Sequence, residues 1–150
     1  MPSANDIQIG GDHYKKGGNA QHWDLMDDYN VGYLESAATK YLWRWKDKDG
    51  VKDLRKAFHF IKKLAEKRQD APQSVISERI PKVPRQVITE FLSANRIVGD
   101  EAEIITHILT WQSTATLHLV TGRITQLISR VEAASDDGAD ASIGYVNQDR

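Results

Sequence analysis

Residues 31–68 read VGYLESAATKYLWRWKDKDGVKDLRKAFHFIKKLAEKR, two helical patterns separated by a polar turn. In residues 31–46, Leu34, Ala37, Ala38, Tyr41, Leu42 and Trp45 recur at spacings of three and four, as one face of an α-helix requires. The run Asp47-Lys48-Asp49-Gly50 interrupts that pattern, and Gly50 supplies a stop or turn. Residues 51–68 resume it, with Val51, Leu54, Phe58, Ile61 and Leu64 or Ala65 as the buried stripe. The two patterns predict a helical hairpin between the second and third helices of the chain.

Outward from this hairpin the pattern stays helical. Residues 21–29 predict a short first helix with Trp23 and Met26 on one side. Residues 1–20 are loop-like, with Gly10, Gly11, Gly17 and Gly18 widening the accessible backbone conformations. Downstream, Pro72, Pro81 and Pro84 among polar residues mark 69–83 as a linker. A second helical unit is expected over 84–134. Pro84 suits a first helical turn and leads into Val87, Ile88, Phe91 and Leu92. After Gly99, the acidic Asp100-Glu101-Ala102-Glu103 resembles a capping box ahead of Ile104, Ile105, Ile108, Leu109 and Trp111. Ser113 or Thr114 can cap a last helix carrying Leu117, Val120, Ile124, Leu127, Ile128 and Val131. Its near-heptad stripe suits packing on a partner chain or within its own subunit. Residues 135–150 form an acidic tail expected to be mobile. The organisation is therefore a 1–68 helical domain, a 69–83 linker, an 84–134 packing and oligomerisation unit, and the tail. With no strand-rich stretch, the fold class is all-α.

Composition bounds the function. The 150 residues suit one domain with an attached helical unit. Hydrophobic content is 40% and charged content 27%, which fits a folded protein. The net charge of −1 gives no electrostatic case for nucleic acid or membranes, yet residues 40–68 hold 11 Lys and Arg against 4 Asp and Glu. The absence of cysteine excludes disulfides and thiolate zinc sites. No secretory leader pattern opens the chain, and no apolar run approaches the ~20 residues that span a bilayer, so a cytoplasmic protein is expected.

Basic and aromatic residues concentrate where chemistry is expected. Lys40 and Arg44 are four apart and share a helical face. Lys52, Lys56, His59 and Lys63 form a basic row on the next helix, which is equally the pattern of a solvated face. If the hairpin is antiparallel, the rows converge, and Lys and Arg between aromatic walls can hold a phosphate and stack a base. Asp53 opens the third helix, where the dipole favours a carboxylate, and can orient Lys40 or Arg44. His13 and Tyr14 lie in a glycine-flanked loop. His13 there can serve as a general acid, a phosphate donor or a loop anchor. His22, His107 and His118 read as structural or surface residues. Asp24, Asp27 and Asp28 can hold a cation or simply favour a helix end. No HExxH, GxxxxGK[ST] or GxGxxG pattern occurs, so metal-protease and P-loop chemistry find no support and no metal ligands are assigned.

At these residues the chain resembles a small domain family common in tailed phages and prophages. The family pattern is His-Tyr, then a Lys-Tyr-x-x-Arg helix, then Asp-Leu-x-Lys-Ala. Here it is matched by His13-Tyr14, Gly32, Lys40-Tyr41 with Arg44, Lys48, and Asp53-Leu54 with Lys56-Ala57. The same domain forms the C-terminal part of the nucleoside monophosphate kinase of T-seven-type podophages. The likeness covers about residues 10–68. Family members carry Ala-Gly after the helical Arg, where this chain has Trp45-Lys46.

The resemblance implies a nucleotide-binding protein of host-cell cytoplasm, with phosphoryl transfer between nucleotides as its chemistry. His13, Lys40 and Arg44 would be catalytic, and Tyr14, Tyr41, Lys48, Asp53 and Lys56 would bind the nucleotide. A kinase would need a nucleoside triphosphate donor; magnesium dependence stays open. The alternatives are a non-catalytic nucleotide binder or sequestering protein, and an oligomeric interaction protein acting through 84–134. A homo-oligomer is expected, with nucleic acid and membranes disfavoured as partners.

Overall fold

A computed structural model describes residues 3–6 and 21–143, and among these every regular element is helical. The order is α1 (His22–Asp28), α2 (Tyr33–Arg44), α3 (Val51–Arg68), α4 (Gln73–Arg79), α5 (Arg85–Ala94), α6 (Gly99–Leu109) and α7 (Thr114–Ile143). A short 3-10 turn, Trp45–Asp47, follows α2. The chain then reverses at Gly50, whose φ of +57° lies in a region side-chain-bearing residues rarely adopt. The expected hairpin follows: α2 and α3 pack along each other, with Ala38 and Leu42 buried from one and Leu54, Ala57, Ile61 and Leu64 from the other.

α3 is central, because its second flank packs on α7. His118 lies against Gln69 while Glu132 pairs with Arg55, so α7 runs antiparallel to α3. Leu117, Val120, Ile124 and Leu127 are buried within the chain itself, in one core that begins at Leu25. α6 lies on α2 and α7. Two indole N–H groups stitch the halves together. Trp43 Nε1 donates to Asn95 Oδ1 at 2.8 Å, and Trp111 Nε1 donates to Glu35 Oε2 at 2.8 Å.

Several local expectations are revised. Trp23 is 49% exposed while His22, Leu25 and Met26 are buried, so Trp23 does not share the inward side of α1. Residues 69–83 are not merely a linker: α4 forms there, because Pro72 sits just ahead of its first turn rather than inside it. Ile76 and Val83 bring the segment into the core. The acidic start of α6 makes no side-chain cap; Asp100 pairs with Arg130, Glu101 with Lys46 and Glu103 with Arg123. Of the tail expected over 135–150, α7 continues as helix to Ile143, and 144–150 lie outside the described residues. Among the described residues no helix is long and apolar enough to cross a membrane.

Candidate functional site

The last two turns of α2 and the first two of α3 place Lys40, Tyr41, Arg44, Asp53 and Lys56 together. Tyr41 is the centre. Lys40 Nζ lies 4.9 Å from its ring centroid, the Arg44 guanidinium 4.8 Å and Lys56 Nζ 5.2 Å. Each is within cation–π range. Lys40 and Arg44 reach the ring from their own helix, while Lys56 reaches it across the hairpin, so the convergence depends on the antiparallel packing.

Asp53 is fully buried and is the carboxylate of the cluster. Arg44 Nε donates to its Oδ2 at 3.1 Å and Nη2 to its Oδ1 at 3.3 Å, a fork-on-fork pair. The Asp49 backbone N–H also points at Oδ2, at 3.4 Å. Of the two partners the sequence left open for Asp53, the ion pair goes to Arg44. Lys40 feels the surplus positive charge. Partial burial, then Arg44 and Lys56, push its pKa down, with Asp53 opposing them.

The wall continues beyond Tyr41. Phe60 stacks on it at 5.9 Å and 16°, and Tyr33, three-quarters exposed, meets Phe60 edge-on at 6.0 Å. The sequence reading does not single out Phe60, and it sets Tyr33 on roughly the side of Lys40 and Arg44 without giving it a binding role. Their signal was available, since Phe60 is one turn beyond Lys56 and Tyr33 two turns before Tyr41, but only the packed hairpin sets them in one row.

Other expected site residues separate from this cluster. Lys48 stands exposed on the turn and shares none of the contacts around Tyr41. Lys52 and His59 are exposed on α3, and Lys63 of the same row turns to a different cavity. His13 and Tyr14 lie outside the described residues. His22 is structural: its ring lies 2.8 Å from Thr39 Oγ1 and stacks on Trp43. Among the described residues no cluster of three or more His, Cys, Asp or Glu could hold a metal ion, and Asp24, Asp27 and Asp28 do not gather into one.

No family model matches the chain, and no curated protein or solved structure matches it either.

Proposed function

We propose that the protein binds a nucleotide on the α2–α3 face, its phosphates on Lys40 and Lys56 and its base against the Tyr41–Phe60 wall. The observation that carries this reading is the gathering of three cations around one tyrosine ring. Asp53 engages Arg44, and among the described residues no carboxylate pairs with Lys40 or Lys56. Like charges held this close, with one of them partly desolvated, work against the folded state. A phosphate relieves the repulsion, and a flat base gains roughly 1–3 kcal/mol by stacking on an aromatic ring.

The resemblance of residues 10–68 to the phage family extends the proposal to phosphoryl transfer between nucleotides. Such transfer depends mainly on positioning and charge stabilisation, which Lys40, Arg44 and Lys56 can supply, with His13 as a proton or hydrogen-bond donor. The test is incubation with the four deoxynucleoside monophosphates and ATP, followed by chromatography. Diphosphate formation that disappears in Lys40→Ala and His13→Ala supports transfer. Ligand bound and recovered unaltered removes the kinase step and leaves binding. No ligand bound by the wild type overturns the reading altogether.

A further inference from the structure

At the far end of the aromatic row lies a second basic site, which uses none of Lys40, Tyr41, Arg44 or Lys56. A cavity of about 280 Å³ is framed there by Tyr33 and Glu35 at the start of α2, Lys63, Lys67 and Arg68 at the end of α3, and Arg79 at the end of α4. We propose that this cavity binds a hydroxyl-bearing phosphate monoester, a sugar phosphate in chemical class.

Arg68 is the first support. It is only 7% exposed, and its Nε has no hydrogen-bond partner among the described residues. Buried N–H groups are normally bonded, so an arginine with an unbonded Nε–H beside a cavity favours an anion there. Lys63, Lys67 and Arg79 are exposed around it, and among the described residues none of these four cations pairs with a carboxylate. Arginine forks suit the geometry of a phosphate.

Glu35 sets the second half of the ligand. Its Oε2 is occupied by the Trp111 indole N–H, while Oε1 lies against Gly32 on the cavity wall. A Cβ at residue 32 would approach that oxygen to 2.7 Å, so glycine leaves it room. A carboxylate oxygen beside four cations weakens binding of bare phosphate but accepts a hydrogen bond from a ligand hydroxyl. The pair therefore selects a phosphate carrying an alcohol over phosphate alone. An adjoining cavity of about 500 Å³, sharing Gly32, Tyr33 and Arg79, leaves space for the rest of the molecule.

The test is calorimetric titration of the full chain with ribose 5-phosphate, inorganic phosphate and ribose. The wild type should bind ribose 5-phosphate more tightly than either of the others. Lys67→Gln/Arg79→Gln, exposed substitutions whose folding is checked by circular dichroism, should weaken binding by about tenfold or more. Glu35→Gln should narrow the preference over inorganic phosphate. Lys40→Gln/Lys56→Gln should keep the ribose 5-phosphate binding event that Lys67→Gln/Arg79→Gln loses, which separates this site from the nucleotide face. The proposal is overturned by any of three results: no binding to the wild type, full binding by Lys67→Gln/Arg79→Gln, or loss confined to Lys40→Gln/Lys56→Gln. Inorganic phosphate or ribose binding as tightly as the ester would overturn the assigned ligand class.

Discussion

His22 is packed between Thr39 and Trp43 at 6% exposure, and burial, reinforced by nearby Lys40, pushes its pKa down to about 3. The unfolded chain takes up this proton first as pH falls through 6.5, so stability should drop below that point and keep dropping toward pH 3. The slope from this residue is at most about 1.4 kcal/mol per pH unit. Thermal melts across that range should show the decline, and His22→Gln should flatten it. An unchanged slope in the variant would assign the acid sensitivity to other groups. Glu35 is a buried carboxylate whose Oε2 accepts from the Trp111 indole N–H. Trp111→Phe keeps most of the apolar volume but removes the donor, and should cost about 1–3 kcal/mol in denaturant titration. A loss no larger than that of Glu35→Gln, which keeps an acceptor, would contradict this account of the pair.

On the scale of elements, the α2–α3 hairpin brings cations together at some cost to the fold. Lys56→Gln should therefore weaken nucleotide binding while leaving the melting temperature equal to or above that of the wild type. A variant that loses binding and stability in parallel would make Lys56 a structural residue. This part of the molecule was legible in the sequence for local reasons. Apolar spacing marked both helices, Gly50 marked the reversal, and spacings of four set Lys40 with Arg44 and Lys52 with Lys56. What escaped is joined over long separations. Trp43 meets Asn95, Glu35 meets Trp111, and the second cavity draws on α2, α3 and α4. No local pattern encodes such pairings. α4 escaped because Pro72 reads as a breaker when its position relative to the helix start is unknown. Trp45 and Lys46 also have a tertiary role. Trp45 is buried, and Lys46 reaches Glu101 of α6 at 2.9 Å, so the turn after α2 contacts the C-terminal helices.

For the whole molecule, the single core makes the N-terminal hairpin dependent on α7. Deleting residues 114–150 would remove Leu117, Val120, Ile124 and Leu127 from the core and expose the flank of α3 on which α7 packs. The truncated chain should lose cooperative unfolding by circular dichroism; a sharp transition near the wild-type midpoint would show the hairpin folding alone. Charge couples the same assembly to ligand. An anion beside Lys40 raises its lowered pKa, so nucleotide affinity should fall as alkaline pH deprotonates this lysine. The most direct measurement of the central claim is calorimetric titration of deoxynucleoside monophosphates and ATP into the wild type and Lys40→Gln/Lys56→Gln. Saturable binding of at least one nucleotide is expected for the wild type, and its loss for the folded double variant. Undiminished binding in that variant, or none in the wild type, would contradict that claim.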